Sequence, residues 1–272
     1  MKVGVFQFDP VFGQVRENVR RAQKAISQIE ADLVVLPELF NTGYQFVAKE
    51  EARALAEAVP DGFTTRSLGE TARQKRLFIV AGLAERAGDR EGERIYNSAV
   101  VVGPQGFVGV YRKAHLFYEE KLWFDPGDGE FPVFDIGSAK IGLMICFDWI
   151  FPEVARILAL KDAQILCQPA NLVLPYCQGA MVTRAIENRV FTITANRVGS
   201  ERRKVDEELR FTGMSQVVDP KGQVLFRLGE TEETIRVVEV DPARALDKRV
   251  NVHNHVFDDR QTDLYARLLD ER

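Results

Sequence analysis

Short, unbroken apolar runs alternate in this chain with segments whose apolar residues recur every three or four positions. Residues 33–36 form one such run, which Pro37 ends, as expected of a strand that is buried on both faces. Because strands that alternate with helices pack as sheets covered by those helices, the pattern predicts a layered α/β sandwich. The helical stripe that precedes this run consists of Val15, Val19, Ala22, Ile26 and Ile29.

The alternation continues through most of the chain. A hairpin is predicted where two apolar strands, residues 99–102 and 107–111, flank a Gly-Pro-Gln-Gly turn. A second passage then repeats the strand–helix–strand order of the first, and Pro152 opens its helix. The other predicted elements are strands at 3–8, 78–83, 140–145, 164–168 and 190–195, helices at 64–76, 152–160 and 178–189, and a hairpin turning at 219–222.

Composition is that of an ordinary globular protein. The 272 residues fit one large domain, residues 1–272, which can bury enough apolar surface to fold without disulfides. A hydrophobic fraction of 46% with 28% charged residues excludes a disordered chain. The net charge of −4, without a basic stripe, argues against a nucleic-acid partner. No stretch approaches the roughly 20 apolar residues that a membrane helix needs, so no membrane partner is expected.

Cysteine usage and the N-terminus indicate the compartment. The three cysteines, Cys146, Cys167 and Cys177, form no C-x-x-C pair, and an odd number is more typical of a reducing compartment than of a secreted disulfide framework. The apolar run at residues 3–8 is too short for a signal peptide. We therefore expect a cytoplasmic protein.

The last part of the chain, residues 245–272, has little periodicity and several turn residues. We expect this tail to pack on another subunit, in a homodimer or a higher homo-oligomer. His253 and His255 lie in it as an H-x-H pair, which needs further ligands to hold a metal and is expected to be solvated. Since no phosphate loop or dinucleotide fingerprint is present either, we predict no metal and no cofactor.

Three segments place a reactive side chain directly after an apolar strand. Glu38 follows Pro37, Lys113 follows the second strand of the hairpin, and Cys146 follows the strand that opens the second passage. Each has an ordinary explanation by itself, as a solvated glutamate, a surface lysine or an inert buried cysteine. Ligand crevices of α/β sheets form at strand ends, however, and adjacent strand ends can gather all three in one pocket.

Cys146 also has the setting of a reactive thiol. It lies at a strand-to-helix corner, where free backbone N–H groups favour a thiolate. Cys167, inside a strand, and Cys177, next to Pro175 and Tyr176, lack that setting and are expected to be structural.

These segments resemble the nitrilase or carbon–nitrogen hydrolase superfamily, whose members use a Glu–Lys–Cys triad. The matching motifs are L-P-E-L at 36–39, Y-R-K-A-H-L-F at 111–117 and C-F-D-W-I-F-P-E at 146–153, with weaker agreement at 168–171, 184–188 and 211–222. The resemblance covers nearly the whole chain. It implies a four-layer α-β-β-α sandwich of the nitrilase type, paired into dimers or higher assemblies through the helix near 184–189 and the tail.

The resemblance also implies the role of each residue. Glu38 is the expected general base for the Cys146 thiol, and Lys113, with the backbone N–H of Phe147, is expected to stabilise the charge that develops on the substrate. A second glutamate is expected near residues 119–120. Glu120 fits the family pattern better than Glu119, and an exposed acidic pair is the alternative.

The sequence constrains the substrate less. Family members that clamp a substrate carboxylate place an arginine three or four residues after the cysteine, where this chain has Trp149 and Ile150. Dedicated nitrilases of the family commonly have Cys-Trp-Glu, whereas this chain has Cys-Phe-Asp. We therefore expect hydrolysis of small, uncharged primary amides, with nitriles as the alternative. The candidate substrate-binding residues are Tyr44, Phe147, Trp149, Asn171 and Tyr176.

Three other functions fit parts of the pattern. A thioester enzyme that excludes water poorly would transfer the acyl group instead of hydrolysing it. A protein that keeps the fold without catalysis would be a binding protein or a scaffold. A Cys–His enzyme would use Cys146 with His115, but His115 is expected to point to the opposite side of the chain from Lys113.

Overall fold

The computed structural model describes residues 1–88 and 92–268. Its helices are α1 (Val15–Ser27), α2 (Lys49–Leu55), α3 (Phe63–Lys75), α4 (Glu120–Trp123), α5 (Pro152–Leu160) and α6 (Cys177–Asn188), with 3₁₀ helices at Cys146–Ile150, Pro242–Ala245 and Thr262–Leu268. Its strands are β1 (Lys2–Gln7), β2 (Leu33–Val35), β3 (Glu57–Ala58), β4 (Phe78–Ala87), β5 (Arg94–Gly103), β6 (Gly106–Arg112), β7 (Val133–Asp135), β8 (Lys140–Leu143), β9 (Ile165–Ala170), β10 (Phe191–Asn196), β11 (Ser200–Lys204), β12 (Glu207–Arg210), β13 (Gln216–Val218), β14 (Val224–Arg227) and β15 (Thr234–Glu239).

Two mixed sheets form the centre of the molecule. The first has the order β15-β1-β2-β4-β5-β6, with β3 added beside β4, and the second has the order β14-β13-β10-β9-β8-β7. Strands β1, β2 and β4 run parallel, as do β8, β9 and β10. Each half therefore repeats one strand–helix–strand unit, as the sequence pattern predicted.

Side-chain alternation along the strands produces the layers. On β1 and β2, Val3, Val5 and Leu33 point to the core between the sheets, whereas Phe6 and Val34 point to the core under α1 and α3. On the other side, Val154 and Leu158 of α5 belong to the same apolar cluster as the buried residues of β8 and β9, and α5 contacts β8. The result is the predicted four-layer α-β-β-α sandwich.

Several boundaries differ from the prediction. The strand predicted at 140–145 ends at Leu143, because the backbone N–H of Ile145 is bound by the Asp148 carboxylate and not by a neighbouring strand. The hairpin strands β5 and β6 are longer than predicted, since residues 94–98 of β5 remain paired with β4, and Arg112 of β6 remains paired with Ser98. The alternation did not predict α2, the β11–β12 hairpin or β15, which pairs with β1 from more than 200 residues away.

The tail runs over the surface after the 3₁₀ helix Pro242–Ala245. A single bridge joins Arg249 to His255, and Leu246, Val252 and Leu264 are exposed. Residues 269–272 of the predicted tail lie outside the described residues. Packing of this segment on another subunit stays a prediction. Within residues 1–88 and 92–268, no helix combines the length and apolarity needed to cross a membrane.

Candidate active site

Three strand ends bring the predicted reactive residues together. Glu38 lies just beyond β2, Lys113 directly follows β6, and Cys146 lies beyond β8 in the second sheet. All three side chains are buried, and the Lys113 and Glu38 side chains have no exposed surface. The site therefore lies at the interface of the two halves of the sandwich.

The Lys113 ammonium lies between two carboxylates. Its Nζ donates to Oε1 of Glu38 at 2.6 Å and to both carboxylate oxygens of Glu120, at 2.8 and 2.7 Å. Burial by itself would lower the pKa of Lys113, but the charges of Glu120 and Glu38 outweigh it and raise that pKa above its ordinary value. Lys113 is thus a fixed cation in a site that excludes water.

Glu38 has one occupied and one open carboxylate oxygen. Oε1 accepts from Lys113 and, at 2.7 Å, from the Asn97 side chain. Oε2 is buried and has no hydrogen-bond partner among the described residues. The backbone is held as well, since Asn171 Nδ2 donates to the Glu38 carbonyl at 2.8 Å. Only glycine fits at position 82, because a Cβ there would lie 2.4 Å from the Glu38 Cα.

Of the two adjacent glutamates, only Glu120 lies in the site. It is 2% exposed, and besides Lys113 it binds the Tyr44 hydroxyl at 2.6 Å and the Phe117 backbone N–H at 3.2 Å. Glu119 instead forms an ion pair with Lys204. Burial raises the pKa of Glu120 to about 7; Lys113 lowers it and the charge of Glu38 adds to the rise.

Glu120 makes the stability of the protein depend on pH. Its pKa in the folded state is raised from 4.5 to about 7, so the folded protein binds more protons than the unfolded chain between these values. The contribution is fully present below pH 4.5 and is lost as the pH rises through about 7. We expect Glu120→Gln to remove this fall, so that the free energy of unfolding, measured with urea from pH 4.5 to 7.5, depends less on pH than in the wild type.

Glu119→Gln is the matched control for this measurement, because that carboxylate is paired near the surface. It should leave the pH dependence of wild type in place. Parallel stability curves for the wild type and Glu120→Gln would contradict the expectation.

Cys146 occupies a tight backbone corner. Its φ of +39° is in the left-handed region, which costs energy for a residue with a side chain and recurs at functional sites. Two side chains hold this geometry. Asp148 accepts from the Ile145 N–H at 2.8 Å, and Gln168 Nε2 donates to the Cys146 carbonyl at 2.9 Å. The corner thus presents the thiol to the cavity at the start of the 3₁₀ helix.

The thiol is protonated in the resting site. Burial raises the pKa of Cys146 well above its ordinary value and the charge of Glu38 raises it further, whereas Lys113 and the backbone N–H of Asn171 lower it. The helix-corner effect expected from the sequence is therefore outweighed by desolvation. Attack on a substrate needs a base that removes the proton during the reaction.

The other two cysteines are buried, and their pKa values show no influence of the charges around Lys113. Cys167 lies inside β9, and burial raises its pKa. Cys177 opens α6, and its pKa is raised to about 12 by burial, although a contact with Gln168 lowers it. All three cysteines are free thiols.

A small cavity, partly open to solvent, is lined by the Cys146 side chain. Three of the predicted substrate-binding residues, Phe147, Trp149 and Asn171, line it. The sequence interpretation missed Val173 and Leu174 as lining residues, although they follow the end of β9 as Glu38 follows β2. The complete lining is Phe117, Cys146, Phe147, Trp149, Asn171, Leu172, Val173 and Leu174.

Two of the predicted substrate-binding residues do not line this cavity. Tyr176 is 62% exposed, since it immediately precedes the first turn of α6 at the surface. Tyr44 turns its hydroxyl to Glu120 and so contacts the buried carboxylate that binds Lys113. Its environment raises the pKa of Tyr44 well above the usual value, through burial and the nearby charge of Glu120.

His115 does not take part in a Cys–His pair. Its Nδ1 lies 2.7 Å from Oδ1 of Asp148, and its ring stacks on Phe151 with the ring centres 3.7 Å apart. These contacts direct the ring away from the thiol, as expected. The cause is the bend of the chain at Ala114 and His115, since residues two apart in a continuous strand share a face. No group of three or more potential metal ligands occurs in the part of the chain that the structure describes.

Comparison with known proteins identifies the family of this chain. The carbon-nitrogen hydrolase family model matches residues 2–249. A protein named nitrilase from Pyrococcus abyssi is 49% identical over 270 residues, which cover 98% of this chain and 100% of that protein. A crystal structure of a carbon-nitrogen hydrolase from Helicobacter pylori G27 superposes with a TM-score of 0.89 at 27% identity, over 100% of this chain and 99% of that chain.

A second solved structure concerns the chemistry. It is a mutant amidase from Nesterenkonia sp. AN1, described as showing covalent addition of the acetamide moiety of fluoroacetamide at the active-site cysteine. It superposes with a TM-score of 0.78 at 27% identity, over 99% of this chain and 97% of that chain. The present chain belongs to the carbon–nitrogen hydrolase family and is an enzyme of the nitrilase superfamily.

Proposed function

We propose that this enzyme hydrolyses small, uncharged primary amides to the carboxylic acid and ammonia through a thioester on Cys146. The observation that carries the proposal is the open oxygen of Glu38. Lys113 and Asn97 occupy Oε1, while Oε2 is buried without a partner among residues 1–88 and 92–268. A buried acceptor next to a protonated thiol is suited to remove its proton during attack.

The first half-reaction forms the thioester. The Cys146 sulfur bonds to the amide carbon while Glu38 takes the thiol proton, and the carbonyl electron pair moves onto oxygen. The ammonium of Lys113 and the backbone N–H of Phe147 stabilise that oxygen. Glu38 then gives its proton to the nitrogen, the C–N bond breaks and ammonia leaves.

The second half-reaction releases the acid. Glu38 takes a proton from water as the water oxygen bonds to the thioester carbon, and Lys113 again stabilises the negative oxygen. When the C–S bond breaks, the sulfur leaves as the thiolate and recovers a proton from Glu38. Every proton that leaves Glu38 is thus replaced within one turnover, so no further base is needed.

The lining of the cavity supports an uncharged substrate. Its residues other than Cys146 and Asn171 are apolar, and no arginine or lysine is among them. A substrate carboxylate would lose its water there without gaining a cation. An amide nitrogen and oxygen, by contrast, would meet Glu38 and Lys113.

Nitrile hydrolysis is the second candidate, favoured by the relative from Pyrococcus abyssi that is named a nitrilase. In that reaction Cys146 attacks the nitrile carbon, Glu38 supplies the thiol proton to the nitrogen, and a thioimidate forms. Water must then add before ammonia can leave. The same residues would serve both reactions, so the two reactions are distinguished by comparing amide and nitrile substrates.

Ammonia release from a matched panel tests the proposal. We expect kcat/KM for propionamide and butyramide to exceed that for succinamic acid, which carries a carboxylate, by about 100-fold or more, because the cavity cannot pair the anion. Propionitrile tests the second candidate: faster ammonia release from it than from propionamide would make nitrile hydrolysis the main activity. Equal turnover of succinamic acid would contradict the proposed substrate class.

Added hydroxylamine distinguishes hydrolysis from acyl transfer in the same assay. A hydrolase that delivers water efficiently to the thioester should yield propionic acid as nearly all of its product. Hydroxamate as the main product would identify a transferase instead.

A further inference from the structure

Glu201 is a buried carboxylate that holds a loop of the other half of the molecule. It is 6% exposed, and its oxygens accept from the backbone N–H of Tyr44 at 3.1 and 3.2 Å and from that of Gln45 at 2.6 Å. These two residues belong to the irregular segment between β2 and α2, which follows Glu38. An acidic side chain on β11 therefore binds two consecutive backbone N–H groups of this loop, and Arg203 of the same strand donates to the Gln45 carbonyl at 3.1 Å.

Arg197 compensates the Glu201 charge. The guanidinium is 1% exposed, donates to Oε1 of Glu201 at 2.6 Å, and also reaches the Asp9 carboxylate at 3.3 Å and the Pro10 carbonyl at 3.1 Å. A buried ion pair costs desolvation that a pair of apolar residues would avoid, so it is a weak source of stability. The Arg197–Glu201 ion pair instead serves to fix the geometry of the loop.

That geometry sets the position of the Tyr44 ring. The Tyr44 ring packs edge-on against the Phe211 ring, with centroids 6.0 Å apart. The Arg197 guanidinium stacks on the Phe211 ring, 4.2 Å from its centroid. Gly43, at φ +84°, lets the loop approach, since a Cβ there would lie 2.6 Å from Oε1 of Glu201. Thus held, the Tyr44 hydroxyl donates to Oε1 of Glu120 at 2.6 Å.

We propose that Tyr44 is a positioning residue for Glu120 and that the buried Arg197–Glu201 pair acts through Tyr44. The hydroxyl occupies one oxygen of Glu120 and so fixes the carboxylate that holds the Lys113 ammonium. Lys113 in turn keeps its place on Glu38. The proposal deepens the hydrolase function above and rests on it for its kinetic readout.

A double-mutant cycle with Tyr44→Phe and Glu201→Gln tests this chain of contacts. Because a hydrogen bond to a charged group is worth roughly 1.5–3 kcal/mol, we expect Tyr44→Phe to lower kcat for propionamide by about 10- to 100-fold, with KM nearly unchanged. Glu201→Gln should lower kcat by about tenfold. If Glu201 acts through Tyr44, the double variant should match Tyr44→Phe within about twofold. Multiplied effects would overturn the proposal.

The pH profile supplies a readout that a merely structural role would not move. Glu120 faces Lys113, Glu38 and Tyr44, and the Cys146 thiol is nearby. The hydrogen bond from the Tyr44 hydroxyl favours the charged form of Glu120 and so lowers the pKa of Glu120. Removing the hydroxyl should raise the pKa of Glu120 and move the limb of kcat/KM that reports it to higher pH. Both single variants should show this shift, and its absence from both would overturn the proposal.

Asp219→Asn is the matched control. Asp219 is 1% exposed, accepts backbone N–H bonds from Lys221 and Gln223, and pairs with Arg244, but it lies in the turn between β13 and β14. It should lower the melting temperature without changing kcat or the pH profile. If Glu201→Gln does not fold, Arg197→Met/Glu201→Met removes the loop anchor without leaving a buried charge, and the same cycle is run with it.

Alkylation of Cys146 by iodoacetamide separates failure of this proposal from failure of the proposed function. If the wild type turns over no amide, the hydrolase proposal fails, and the cycle is read from alkylation rates. Tyr44→Phe and Glu201→Gln should then each slow the alkylation of Cys146, and the double variant should react no more slowly than Tyr44→Phe. The reason is that both substitutions displace Glu120 and, through Lys113, the base Glu38. Unchanged rates in both variants would overturn the positioning role.

Discussion

Replacing Cys146 with alanine is expected to lower turnover of the best amide by about 10⁴-fold or more. The variant loses the only group in the lining of the cavity that can form a thioester, whereas the charges of Glu38, Lys113 and Glu120 remain. Because Cys146 contributes little buried volume, the fold should persist. Ammonia release measures the activity, and intact mass after mixing with substrate measures the acyl adduct, which should be absent.

Cys167→Ala is the matched control, since Cys167 is also a free, buried thiol of the second half of the chain, and burial alone changes its pKa. It should keep turnover within a few-fold of the wild type and still form the acyl adduct. An adduct on Cys146→Ala, or full turnover by that variant, would show that another group is the nucleophile.

Local rules of sequence predicted the residues that the structure places together at the strand ends. Glu38, Lys113 and Cys146 each follow an apolar run, and strand ends of packed sheets meet on one side. The choice of Glu120 over Glu119 depended on a family pattern. The structure gives its physical reason, since one turn of α4 directs Glu120 inward while Glu119 pairs with Lys204 at the surface.

The environment of Tyr44 could not be predicted in this way. Its backbone partner Glu201 is 157 residues distant along the chain, and the pairing depends on how the β11–β12 hairpin packs across the two halves. Aromatic character alone suggested a substrate-binding wall for Tyr44 and Tyr176 alike. Packing then directs one to Glu120 and leaves the other exposed.

Replacing Lys113 with methionine is expected to impair both catalysis and folding. The variant loses the cation that stabilises negative charge on the substrate, which should lower kcat by about 10²–10³-fold. It also leaves Glu38 and Glu120 buried without their shared partner. Breaking a buried ion pair typically costs about 3–5 kcal/mol, so the free energy of unfolding at pH 8 should fall by that amount.

The unfolding free energy that Lys113→Met loses should depend on pH, because Glu120 titrates. Lys113 lowers the pKa of Glu120, so its removal raises a value that burial has already brought to about 7. A carboxylate whose pKa is raised on folding contributes most stability below its unfolded pKa and loses it as the pH rises. The difference in unfolding free energy between Lys113→Met and the wild type should therefore shrink as the pH falls from 8 to 5.

A second replacement separates the two roles of Lys113. Lys113→Met/Glu120→Gln removes one of the two stranded carboxylates, so urea unfolding at pH 8 should show that stability partly recovers relative to Lys113→Met. Activity should not recover, because the double variant still has no ammonium at the substrate oxygen. Recovery of kcat with stability would mean that Lys113 serves only to hold the site together. Stability recovered without kcat instead assigns the rate loss to the missing charge itself.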